Sequence, residues 1–420
     1  MLPHALLLAA ADGGENSIAR LLAALVAIFI ATKAFGELAQ RIRQPAVLGE
    51  LLAGVLLGGS VLGIVDPSNA VLSAMSEIGV ILLLFEIGLE TDVRSLMKVG
   101  GVATTVAFAG VALPFGAGFF GAELLGLTTV PALVCGAALC ATSVGISARV
   151  LSELGMLDTS EGHVVLGAAV IDDIIGLVIL AVVAGVVDGG TVSFLRIARI
   201  SGVAVAFVLL AVVVGGRIAP PLFRFAEKIR ASGALGLVAI AFAFLLAWMA
   251  HLAGSAMIIG AFAAGVELHD LPQCGEMQRS TTGIAHFFVP IFFASVGAAV
   301  NLPALLSGDA LRVGALLIVV GIAGKVVAGY VPWWYKGDKL FVGAAMVPRG
   351  EVGLIFAQMG LASGGITPGE FGAIMLMVMV TTFVTPPALG RRAAGRDRRL
   401  AREHGIDDLV AGASRNTKAR

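Results

Sequence analysis

The chain has 420 residues, 58% of them hydrophobic and 13% charged, and its net charge is zero. Soluble domains carry about 25% charged residues, whereas here the apolar excess, a mean hydropathy of +0.98, extends along the whole length. That excludes a water-soluble enzyme, and the neutral balance gives no footing for nucleic acid as a partner.

Thirteen apolar segments follow one another, each about 20 residues long and so able to cross a bilayer. They cover 18–40, 45–63, 71–90, 99–122, 130–150, 162–187, 197–216, 232–250, 254–268, 283–300, 311–330, 339–362 and 368–390. The expected fold is all-α and polytopic, with connections too short to hold a soluble domain. The stretch before the first span has a short apolar run with no basic residue ahead of it, a weak match to a cleaved leader. Cys135, Cys140 and Cys274 show neither zinc nor disulfide spacing and read as small buried residues. Residues 391–420 are polar and basic and are expected to be disordered.

Orientation follows from lysine and arginine. With the N-terminus outside, the cytosolic loops carry twelve and the tail nine, against four on the opposite side. The expected orientation has the N-terminus outside and the C-terminus in the cytosol. Trp333, Trp334 and Tyr335 beside Lys336 and Lys339 fit a cytosolic aromatic belt.

Charges inside the spans carry the functional argument. Asp172 and Asp173 sit in the middle of the sixth span, with Asp173 about 16 Å from either end at 1.5 Å per residue. Each carboxylate there costs at least ~2.5 kcal/mol on insertion scales and marks an ion pathway by default. Neighbouring helix positions diverge by about 100°, so one carboxylate can face a helix while the other faces a water-filled cavity. Lys325, deep in the eleventh span, is the available counter-charge for one of them. Snorkelling of Lys325 to the cytosolic interface is the alternative. His163 reads as an ordinary interfacial histidine, with pH sensing as the other reading.

Two spans are interrupted. In the fifth, Thr142, Ser143, Gly145 and Ser147 break the apolar run, placing a break near 140–147. In the twelfth, Pro348 and two glycines surround Arg349 and Glu351, placing another near 346–353. Proline removes a backbone donor, and broken helices at membrane depth line a cavity or lie buried in protein. The free ends carry half-charges, which Arg349 and Glu351 can neutralise; direct handling of the ion is the alternative role. Spans five and twelve hold the same place in two blocks of six whose topology is inverted by an offset of seven. Such paired interruptions point to a transporter's binding site.

Eight segments, in order, resemble the signature stretches of the cation:proton antiporter superfamily, in its branch of bacterial sodium/proton and potassium/proton exchangers. They are "RIRQPAVLGELLAGVLLGGS" (41–60), "EIGVILLLFEIGLETD" (77–92), "ATSVGISARVL" (141–151), "VIDDIIGL" (170–177), "GAFAAGVEL" (260–268), "FFVPIFFASVG" (287–297), "PRGEVGLIFA" (348–357) and "TTFVTPPAL" (381–389). The resemblance implies two inverted repeats with crossed, unwound helices. It implies a core of about 71–187 and 311–390, and a scaffold of about 18–63 and 197–300 that forms a homodimer. Asp173 is then the carrier of cation and proton, Asp172 the partner of Lys325, and Thr142 and Ser143 the hydroxyl-rich segment at the cation site. Two aspartates imply electrogenic exchange. Glu86 departs from the apolar residue expected at its position and reads as a solvated residue near the span's end rather than a funnel lining.

The expected activity is exchange of sodium or lithium for protons, since carboxylate, hydroxyl and carbonyl oxygens are hard ligands. The ligand set is Asp173, Asp172, Thr142 and Ser143, and no cofactor is expected. A potassium/proton exchanger is the rival within the class. A cation channel or a non-transporting sensor on the same scaffold is the rival outside it.

Overall fold

The structure, a computed structural model, describes residues 16–42, 44–187, 202, 203, 206, 217–226, 233–254, 256–300 and 308–403. Fifteen helices can be followed among them, with a further helical stretch at 217–226. They are α1 (Asn16–Arg41), α2 (Ala46–Leu57), α3 (Ala70–Leu89), α4 (Val93–Lys98), α5 (Gly100–Leu124), α6 (Thr129–Ala138), α7 (Val144–Glu153) and α8 (Ser160–Val187). After these come α9 (Ala234–Leu252), α10 (Met257–His269), α11 (Cys274–Ala298), α12 (Gly308–Tyr330), α13 (Lys339–Ala345), α14 (Glu351–Ala362) and α15 (Pro368–Glu403). Eight of them are long and apolar enough to cross a membrane: α1, α3, α5, α8, α9, α11, α12 and α15. Four shorter apolar helices, α2, α6, α10 and α14, accompany them. The segment 197–216, expected as a span, lies almost wholly outside the described residues.

The helices pack as two groups. α1, α2, α3, α9, α10 and α11 pack on one another, and so do α5, α6, α8, α12, α13, α14 and α15. α7 belongs by sequence with α6 but also touches α2 and α3, so the seam between the groups runs along it, with α15 reaching α2 as well. The segment 71–90 was expected in the core, yet α3 packs chiefly on α10 and α11 of the first group. Glycine explains this placement. A Cβ on Gly88 would strike the carbonyl of Phe262, and one on Gly265 the carbonyl of Phe85, so the backbones of α3 and α10 touch. Close approach of this kind is how membrane helices associate where no hydrophobic drive separates helix from lipid. Gly88→Leu is therefore expected to lower the melting temperature of the detergent-solubilised protein by several degrees, while leucine at the open Gly100 changes little.

Two other expectations change. The tail does not leave the helix at 391, because α15 continues to Glu403. Arg392 anchors this extension, its Nε 2.8 Å and its Nη2 3.1 Å from the two carboxylate oxygens of Asp338. Asp338 also caps α13, accepting the Phe341 amide, so a basic stretch that reads as disordered by composition is tied to the bundle. Residues 404–420 lie outside the described region. Glu86, expected to be solvated, is half-buried. Trp333 and Trp334 do lie exposed in the turn between α12 and α13.

Candidate functional site

The breaks in the two interrupted spans are shorter than the composition suggested. α6 stops at Ala138 and α7 begins at Val144, so Thr142 and Ser143 are non-helical while Gly145 and Ser147 are already in the second half-helix. α13 stops at Ala345 and α14 begins at Glu351, leaving Val347, Pro348, Arg349 and Gly350 outside the helices. The side chain of Glu351 lies outside the described residues.

The breaks meet and satisfy one another. The Ser143 amide donates to the Pro348 carbonyl at 2.8 Å. The Thr142 hydroxyl donates to the Met346 carbonyl at 3.1 Å, and the Ser147 hydroxyl to the Ala345 carbonyl at 2.6 Å. The last carbonyls of a helix have no intrahelical partner, so these two hydroxyls cap the C-terminal end of α13. At the end of α6 the same task falls to Arg349, which is wholly buried and donates from Nη1 to the carbonyls of Cys140 (3.1 Å) and Ala141 (3.0 Å). Its own carbonyl accepts the Thr382 hydroxyl of α15 at 2.5 Å. A fixed cation thus lies against the negative end of one half-helix.

Asp172 answers at the positive end of the other half. Its Oδ2 accepts the Thr142 amide at 3.0 Å and the Lys325 ammonium at 2.9 Å, and both ionic side chains are fully buried. Lys325 does not snorkel. Its stem lies against Gly110 of α5, where a Cβ would come 3.1 Å from Nζ. Three elements therefore place the pair: α8 carries Asp172, α12 carries Lys325, and α5 presents a glycine that makes room.

Asp173 points elsewhere. It is 6% exposed and lines a cavity of about 590 Å³. Most of the wall is apolar, including Val80, Ile81, Ile258 and Phe292, and Thr382, Ser295 and Gly350 also reach it. The two neighbouring carboxylates are thus divided: Asp172 in dry contact with a lysine, Asp173 at the wall of an open space. Between them, among the described residues, the meeting of the breaks leaves buried polar atoms without a hydrogen-bond partner, namely Ser143 Oγ, Asp172 Oδ1, and Arg349 Nε and Nη2. The two oxygens among them, Ser143 Oγ and Asp172 Oδ1, are hard ligands that suit a small monovalent cation, whereas the Arg349 nitrogens are cationic donors and do not. His163, expected at an interface, is instead buried, under the α4 and α7 contacts to α8.

Some of the arrangement carried little signal in the sequence. The targets of Arg349 are backbone carbonyls, which leave no residue signature. Ser295 is a single hydroxyl in an apolar run, and Thr382 is one of three buried threonines between 381 and 385, set apart by its bond to the Arg349 carbonyl.

Residues 22–391 match the family of transmembrane sodium/hydrogen exchangers. The chain is 38% identical over 412 residues to the high-affinity Na(+)/H(+) antiporter NhaS3 of Synechocystis sp., covering 89% of each chain. It is 34% identical over 378 residues to the Na(+)/H(+)-K(+) antiporter GerN of Bacillus cereus, covering 89% of this chain and 96% of that one. Its fold is similar to that of the sodium proton antiporter MjNhaP1 from Methanocaldococcus jannaschii, with a TM-score of 0.64 at 17% identity over 90% of this chain and 98% of the other.

Proposed function

The chain belongs to the transmembrane sodium/hydrogen exchanger family, and from that premise we propose that it is a secondary antiporter exchanging sodium, or the smaller lithium, for protons across a bacterial cell membrane. The observation that carries this reading is the division of the two carboxylates. Asp173 borders an open cavity where water and ions can reach it, and Asp172 is held by Lys325. A single carboxylate can hold a proton or a cation, and each expels the other. Exchange follows if the site opens to one face at a time. Potassium is the second reading, favoured by the relative whose name couples sodium, protons and potassium.

In this reading Asp173 carries the ion, with oxygens from Asp172, Thr142 and Ser143 completing its shell. Cation binding draws Asp172 toward the ion and frees Lys325 to lose a proton. Two protons then cross for each cation, and transport generates current. Arg349, Pro348 and Glu351 hold the crossing in shape. The group α5–α8 with α12–α15 forms a moving core, and the group α1–α3 with α9–α11 a scaffold that pairs two copies. Thirteen spans in two inverted repeats account for the helix order.

With the N-terminus outside, Pro67, His251, Ala256 and Val300 belong to external span ends, and all four line the cavity, so this conformation opens outward. On the cytosolic side the seam is closed. Arg149 of α7 reaches Glu50 of α2 at 3.8 Å and Glu153 at 2.8 Å, while Glu153 accepts the Ala46 amide at 2.6 Å. The side chain of Glu50 is only 4% exposed, which gives this contact more weight than a surface pair. Arg149→Ala is expected to shift the population inward. A cysteine at Ser76, inside the cavity, would then react severalfold more slowly with an external impermeant maleimide than the same cysteine beside Arg149, in a background lacking Cys274.

Reconstitution tests the activity. In liposomes holding a pH-sensitive dye, an imposed sodium gradient should drive protons the opposite way in the absence of any other ion gradient. Sodium flux without proton movement would instead indicate a channel.

A further inference from the structure

We propose that Glu77 is an outer capture residue for the transported cation, holding it on the way to Asp173. This rests on the antiport reading and adds a second position to its pathway. Among the described residues lining the cavity, three can titrate: Asp173, Glu77 and His251. Glu77 lies seven residues into α3, about 10 Å along the helix from its first residue, Ala70. A carboxylate at that depth in an apolar helix is costly unless it faces water, and such residues mark ion paths.

The sequence around Glu77 fits that geometry. Ser73, Ser76 and Glu77 make up the polar side of the first two turns of α3, and all three line the cavity. Val71, ahead of them in sequence, and Ala74, among them, are exposed, as is Glu77 itself. Further down the same face, Val80 and Ile81 continue the cavity wall. One turn deeper, Leu84 borders a small adjoining space that also touches Asp173. One helix face therefore runs from Glu77 to the neighbourhood of Asp173 with only apolar side chains between.

Walls of low polarity focus the field of a charge placed at the mouth. A cation entering the cavity meets the negative charge of Glu77 before that of Asp173, and among the described residues lining the wall none between them offers a competing charge. His251 faces the same cavity from α9, and a proton on it would offset part of this attraction. Glu77 thus acts on the occupancy of the cavity from outside, not on the chemistry at Asp173.

The test compares right-side-out and inside-out membrane vesicles under sodium gradients. Glu77→Gln should raise the apparent KM for sodium at the external face by about threefold to tenfold. The maximal rate should change less than KM, and the cytosolic KM should stay as in the wild type. Choline chloride should narrow the difference, because salt screens the field, and Glu77→Asp should restore most of the affinity. An unchanged external KM, an equal rise at both faces, or a fall in maximal rate alone would overturn the proposal. Wild-type vesicles that move no protons against sodium would overturn the antiport reading instead, so the two failures are separable.

Discussion

Replacing Asp173 with asparagine abolishes sodium-driven proton movement in proteoliposomes while leaving the melting temperature of the purified protein within a few degrees of wild type. Asparagine keeps the size of the side chain and can still hydrogen-bond, so the cavity wall that Asp173 contributes to should persist. It removes the two properties the reading depends on. An amide carries no charge to offset a dehydrated sodium ion, and it does not take up or release a proton at physiological pH. At 6% exposure the carboxylate meets the cavity over only a small part of its surface, so a bound cation takes its counter-charge from the protein. Asp173→Glu retains the charge but displaces it by a methylene, and reduced exchange with altered cation preference is expected. Retention of exchange by the asparagine variant would remove Asp173 from the carrier role and leave the cavity without a function in transport.

The sequence showed some features of the site more readily than others, for physical reasons. Buried charges announce themselves because their cost demands a partner, and Asp172 and Lys325 stand 2.9 Å apart with no exposure. The interruptions were legible through Pro348 and the hydroxyls of Thr142 and Ser143, all of which disturb an apolar helix. The contacts between the two breaks were not, because Arg349 and Ser147 bind backbone carbonyls. The helix grouping was also hidden. Hydropathy gives α3 the look of any other span, and its neighbours are fixed by Gly79, Gly88 and Gly265, whose missing side chains meet the backbone of α11, α10 and α3. Net polarity misread the end of α15, where the contact between Arg392 and Asp338 joins residues 54 positions apart.

Lys325→Met is expected to be the most damaging single change to stability, and the double variant Asp172→Asn with Lys325→Met to recover much of the loss. Both partners of the ion pair are fully buried. Removing the ammonium alone leaves the Asp172 carboxylate with the Thr142 amide as its one remaining hydrogen-bond donor among the described residues, and an uncompensated buried charge costs about 3–5 kcal/mol. Replacing both partners removes the charge as well as its counter-charge, which is often close to neutral in cost. A thermal-shift cycle of the four proteins in detergent isolates the coupling between the two side chains. The same four proteins test how the pair enters transport. If Lys325 gives up a proton whenever Asp172 turns toward the cation, the double variant loses one proton per cycle. Any exchange it retains should then carry no current when a potassium-valinomycin potential is imposed. If the single Lys325→Met variant is no less stable than the double, Asp172 is not ionised in the resting protein. If the double variant still transports with wild-type voltage dependence, the second proton is carried by another group.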